Sequence, residues 1–221
     1  MSTRPVVSRP DVDRETSVWD PLVRLGHWIL VLAFAVAYLS GEEEAGGPDA
    51  LHVWSGYIIG GIVVLRVLWG FVGPQHARFN DFVYSPIQVM RYLFALPKGH
   101  ARRYLGHSPA GGAMVIALLV CLAGSVITGL ITYGQEGKGP LAAVVSTFVT
   151  SSHAGEEGKG VSASSQSEPK REEGGLAELH GVLANVTLTL VALHILGVGI
   201  SSIVHRENLV ASMIHGRKRA G

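Results

Sequence analysis

The hydrophobic positions of this chain gather into four long runs instead of alternating along short ones. They cover about 22–40 (LVRLGHWILVLAFAVAYLS), 51–72 (LHVWSGYIIGGIVVLRVLWGFV), 111–133 (GGAMVIALLVCLAGSVITGLITY) and 176–204. Each approaches the ~20 residues that a tilted transmembrane helix needs. As soluble core helices, four such runs in 221 residues would leave too little polar sequence to cover them. The pattern predicts an all-α, integral-membrane four-helix bundle.

The segments between the runs carry their own patterns. Residues 1–17 form a polar arm, and one membrane domain follows at 18–219. YSPIQVMRYLFALPKG reads as an amphipathic helix lying at the membrane surface. The loop at about 134–175 holds GPLAAVVSTFV, a short interfacial helix. Its remainder, TSSHAGEEGKGVSASSQSEPKREEGG, should be mobile or ordered only by a partner.

Composition agrees with the membrane reading. Charged residues make up 16% of the chain, against about 25% in a typical soluble domain, and mean hydropathy is positive. A net charge of +1 offers no basic field for nucleic acid. Cys121 is the single cysteine, so no internal disulfide or structural zinc site forms, and there is no CxxCH for covalent haem attachment. The N-terminus lacks the apolar middle of a signal peptide, so the first span is expected to act as the insertion signal.

Lys and Arg placement sets the orientation. Arg4, Arg9, Arg14 and Arg24 precede or open the first span. Arg78, Arg91, Lys98, Arg102 and Arg103 follow the second, and Arg206, Arg217, Lys218 and Arg219 follow the fourth. The loop after the first span, GEEEAGGPDA, has four acidic residues and no positive one. Both termini should face the cytoplasm of a bacterial inner membrane, with the long loop outside despite its lysines.

Histidines carry the candidate chemistry. Six of the ten (His76, His100, His107, His153, His205, His215) lie in polar loops or at helix ends and read as solvated. His27, His52, His180 and His194 lie in the spans. In LHGVLANVTLTLVALH, His180 and His194 are fourteen residues apart; on a helix that returns to within about 40° of the starting direction, about 21 Å further along the axis. His52 and His180 each open a span that runs inward, while His27 lies about 20 Å from the outer end of the first span. The four rings therefore fall at two depths, His52 with His180 outside and His27 with His194 inside.

A lone histidine in an apolar helix is as often a hydrogen-bonded packing residue as a ligand. Ionisable groups within a span are costly, however, and commonly mark function. Four that pair by depth suit two haems, each iron held between two neutral imidazoles from different helices. Zinc or copper fits less well, because no thiol or carboxylate lies at either depth. Gly56, Gly60, Gly61, Gly181, Gly197 and Gly199 leave room either for a macrocycle or for close helix packing. Arg66, fourteen residues after His52, either bridges to the propionates of the inner haem or snorkels to the interface. Arg24, one turn before His27, is a second propionate candidate.

Taken together, VWDPLVRLGHW, LHVWSGY, LWGFVGPQHARFNDFV, RYLGHSPAGGAMV and HRENLVASMIHGRKR resemble the bacterial cytochrome b561 family, from about Val18 to Arg219. The family's members are four-helix di-haem b-type cytochromes, related to the cytochrome b subunits of membrane-bound nickel-iron hydrogenases. The resemblance implies ligands on the first, second and fourth spans, which fall on His27, His52, His180 and His194. The 134–175 loop is longer than the family's usual one.

Iron with two axial histidines has no open position, which points to electron transfer rather than oxygen chemistry. The expected function is transmembrane electron transfer through two non-covalent haems b, between ubiquinone or menaquinone and a periplasmic redox partner. That partner would be a c-type cytochrome or a dehydrogenase. The resemblance adds superoxide:quinone oxidoreductase activity, and a membrane anchor for a periplasmic dehydrogenase or hydrogenase is the rival role. A metal-ion transporter is a poor third, since no acidic residue lines the helices.

Overall fold

The computed structural model describes residues 15–41, 49–145, 147 and 169–219. Among the described residues four helices are long and apolar enough to cross a membrane: α1 (Pro21–Leu39), α2 (Ala50–Val72), α5 (Pro109–Gln135) and α6 (Pro169–Val204, its apolar stretch from Gly174). Between α2 and α5 lie a 3-10 turn (Gln75–Ala77), α3 (Phe79–Phe82) and α4 (Pro86–Ala95). After α6 comes α7 (Leu209–His215), and strands β1 (Glu15–Ser17) and β2 (Arg217–Arg219) pair antiparallel.

The helix starts are written in the sequence. Asp20 Oδ1 accepts from the backbone N–H groups of Leu22 and Val23 at 3.0 and 3.1 Å, occupying donors that α1 leaves unpaired. Ser85 and Gln88 form a capping box ahead of Pro86 at the first turn of α4. Asn208 Oδ1 accepts from Ala211 N–H at 2.8 Å to open α7, which closes at Gly216 with φ +84°.

The chain forms two compact units. One comprises Gly26–Leu68 and Met114–Leu196. Its core is Ala33 and Ala37 from α1, Ile59 and Val63 from α2, and Leu122 from α5. Most of its other large apolar side chains are exposed, including Leu32, Trp54, Val120 and Ile195. That is the surface expected of helices solvated by lipid.

The other unit comprises Met1–Leu25, Trp69–Ala113 and Gly197–Gly221. Phe82 is fully buried there. β1 and β2 join residues about two hundred positions apart, and the N–H groups of Val18 and Trp19 both donate to the Gly216 carbonyl at 2.9 and 3.1 Å. Reading 1–17 as a plain polar arm misses this sheet, because a three-residue polar strand leaves no hydrophobic period to detect. Three loop histidines read as solvated are also engaged here. His107 packs between Trp19, edge-on, and Phe82, tilted, with ring centres 4.7 and 4.6 Å away. His76 Nδ1 lies 2.9 Å from Asp81 Oδ2, and His205 Nε2 is 3.3 Å from the Tyr92 hydroxyl. His153 lies outside the described residues.

So does most of the long loop. Only its last residues differ from the expectation of a segment that is mobile or ordered only by a partner: α6 begins at Pro169, so KREEGG is helical.

Candidate paired-histidine site

His27, His52, His180 and His194 all belong to the unit built from Gly26–Leu68 and Met114–Leu196. The structure brings them together two by two. The rings of His52 (α2) and His180 (α6) have centres 5.9 Å apart and planes crossed at 79°. Those of His27 (α1) and His194 (α6) are 6.3 Å apart and crossed at 61°. α6 thus supplies one ring to each pair, and its rise separates them by about 21 Å along the helix.

Backbone carbonyls orient the first pair. His52 Nδ1 lies 2.8 Å from the carbonyl oxygen of Ala37. A carbonyl only accepts, so Nδ1 carries the proton and Nε2 keeps its lone pair. His180 Nδ1 lies 2.9 Å from the Ser125 carbonyl and 3.2 Å from Thr128 Oγ1. The Thr128 hydroxyl donates to Gly124 at 2.8 Å, which leaves its oxygen as a second acceptor for the histidine. Such outer partners fix the tautomer of metal-ligating histidines and raise their basicity. Among the described residues, neither His27 nor His194 has a hydrogen bond of this kind; His27 meets Trp28 edge-on, with ring centres 5.4 Å apart.

The donor set can be tested against a metal. An imidazole nitrogen sits about 2 Å from a bound first-row ion and its ring centre about 1 Å beyond, so two rings on opposite sides of one ion have centres about 6 Å apart. Separations of 5.9 and 6.3 Å fit. Two donors do not complete a zinc or copper site, and among the described residues no three His, Cys, Asp or Glu side chains converge on one point. A porphyrin, which brings four nitrogens of its own, needs only the two.

Glycines divide by what surrounds them. Around Gly56, Gly61, Gly181, Gly197 and Gly199 a Cβ would enter open space, whereas at Gly60 it would lie 3.0 Å from Val126, so Gly60 serves close helix packing. Two glycines that pattern reading misses lie against the rings. A Cβ on Gly129 would approach His180 Cε1 to 3.1 Å, and one on Gly41 would stand 3.3 Å from His52 Nδ1. The third span gives no histidine, yet its Ser125, Thr128 and Gly129 hold one in place. Their spacing of three and four residues within an apolar helix was the available signal.

The arginines are placed as follows. Arg66 is half-buried on α2. Arg24 belongs to the other unit, where its guanidinium donates to the Ile214 carbonyl and a Cβ on Gly216 would stand 2.9 Å from it.

Among the described residues, four helices apolar enough to cross a membrane carry two facing pairs of histidines, one pair held by backbone carbonyls, a donor set that suits a planar cofactor between helices. The chain belongs to the prokaryotic cytochrome b561 family, whose model it matches over residues 18–216. It is therefore a b-type cytochrome of a bacterial membrane, with haem b as the cofactor of its class.

Its relatives include the probable Ni/Fe-hydrogenase B-type cytochrome subunit of Bradyrhizobium diazoefficiens, 26% identical over 60% of this chain and 62% of that one. The probable Ni/Fe-hydrogenase 1 B-type cytochrome subunit of Escherichia coli K12 is 24% identical over 55% of this chain and 61% of its own. A protein of Rhizobium leguminosarum bv. viciae, also named a probable Ni/Fe-hydrogenase B-type cytochrome subunit, is 29% identical over 55% and 61%. The chain thus spans about three-fifths of the length of these curated relatives. No solved structure matches it.

Proposed function

We propose that the protein transfers electrons across the bilayer through two haems b, one held by His52 and His180, the other by His27 and His194. The observation that carries this reading is the repetition of a facing imidazole pair at two positions along α6. His52, His180, His27 and His194 would hold the two groups, which would supply one-electron transfer and leave no open position for oxygen to bind. Ala37, Ser125 and Thr128 keep the protons of His52 and His180 on Nδ1, so that Nε2 is the ligand atom. Arg66 and Arg24 are the proposed partners of the porphyrin carboxylates, and the Lys/Arg distribution supports a topology with both termini in the cytoplasm.

In this reading electrons pass between ubiquinone or menaquinone in the bilayer and a redox protein on the outer face. The names of the relatives favour a nickel-iron hydrogenase as that protein, in which case the chain is both its anchor and its route to quinone. A c-type cytochrome, another dehydrogenase or superoxide would exchange electrons at the edge of the same outer haem.

Proteoliposomes with ferricyanide trapped inside and a membrane-impermeant reductant outside test this function. The wild type should reduce the trapped acceptor, and His194→Ala should abolish the transfer. Equal rates in vesicles with and without the protein would refute it.

A further inference from the structure

The unit that contains the β1–β2 sheet also presents α4 with two apolar faces. Tyr92 and Leu96 are buried and Val89 is half-buried, and they seat the helix on its own unit. At about 100° per residue, Ile87, Met90, Leu93 and Phe94 share an opposite arc, and all four are exposed, Ile87 by 71% and Phe94 by 67%. Apart from the Tyr92 hydroxyl, which meets His205, Gln88 and Arg91 are the only polar side chains on the helix.

The charge next to this face has one sign. No acidic residue occurs between Asp81 and Glu136. Arg91, Lys98 and Arg102 are exposed, and among the described residues none of them forms an ion pair with a carboxylate. Arg103 differs, since it is held by Glu207 and by the Arg219 carbonyl. Three unneutralised cations therefore border an apolar strip, a pairing that complements an acyl-chain surface beneath a layer of phosphates.

We propose that α4 and the segment that follows it, through Arg102, form a docking surface for anionic phospholipid. Ile87, Met90, Leu93 and Phe94 enter the upper acyl region, while Arg91, Lys98 and Arg102 grip head-group phosphates. The capping box at Ser85 and Gln88 sets the helix in advance, so the surface is formed before lipid arrives. The assignment rests on the membrane spans and is independent of the haem reading.

Native mass spectrometry of the full haem-loaded chain, released from nanodiscs of equal phosphatidylglycerol and phosphatidylcholine, provides the test. The wild type should retain phosphatidylglycerol in preference. Each basic residue near an anionic surface contributes roughly fivefold to binding, so Arg91→Gln/Lys98→Gln/Arg102→Gln should lower that preference by up to about a hundredfold. Ile87→Gln/Phe94→Gln should lower retention of both lipids, and haem absorbance should be unchanged in both variants, which shows them folded. Equal retention of the two lipids by the wild type, or an undiminished preference in the triple variant, would overturn the proposal. So would protection of the α4 face by a co-purifying protein instead of lipid.

Discussion

His180 Nδ1 lies 2.9 Å from the carbonyl oxygen of Ser125, joining a ring on the fourth span to the backbone of the third. Gly129, one turn further along α5, leaves room for the ring: a Cβ there would stand 3.1 Å from His180 Cε1. Gly129→Val should displace the imidazole and cost the protein about one of two haems, leaving the site of His27 and His194 loaded. Pyridine haemochrome quantitation on the purified variant checks this, and a full complement would contradict it.

The Arg103–Glu207 ion pair ties the loop before α5 to the segment after α6. Both side chains are largely withdrawn from solvent, and Arg103 also donates to the Arg219 carbonyl. Hydrogen bonds to charged groups are worth about 1.5–3 kcal/mol, so Glu207→Gln should lower stability by about 2 kcal/mol. A detergent thermal melt should show the lower midpoint, with the haem spectrum of the folded protein unaltered. An unchanged midpoint would mean that the pair holds nothing together.

Lys218 is buried at the β1–β2 sheet, with its ammonium 5.5 Å from the centre of the Trp19 ring. Burial pushes its pKa below the usual 10.5; Glu207 opposes the shift and Arg103 adds to it. A lowered folded-state value means that folding must discharge or bury a cation. The penalty is fully present below the folded pKa and fades as pH rises towards 10.5. As pH rises towards 10.5 this lysine should therefore contribute a rise in stability, and Lys218→Met should remove that contribution. Thermal midpoints of both proteins across that rise provide the comparison, and parallel profiles would contradict it.

The four spans were legible in the sequence because a lipid-facing helix must be apolar all round, and its length is fixed by the bilayer. α4 was legible for a related reason, since Ser85, Pro86 and Gln88 mark its start and its apolar positions recur at helical spacing. What holds the histidines was not. Ala37 and Ser125 act through backbone carbonyls, which every residue has, and Gly41 and Gly129 act by lacking a side chain. The β1–β2 pair escaped notice because register between distant polar tripeptides leaves no trace in a one-dimensional pattern. His107 and His76 looked solvated because their partners, Trp19 and Asp81, are visible only in three dimensions.

The central claim is that His52 shares one haem with His180, and His27 another with His194. The direct measurement is haem content and the reduced-minus-oxidised spectrum of the four single histidine-to-alanine variants beside the wild type. The wild type should hold about two non-covalent haems b per chain. His52→Ala and His180→Ala should lose the same spectral component, and His27→Ala and His194→Ala should lose the other. Loss of one shared component by His27→Ala and His180→Ala, or a wild type that carries stoichiometric zinc and no haem, would contradict it.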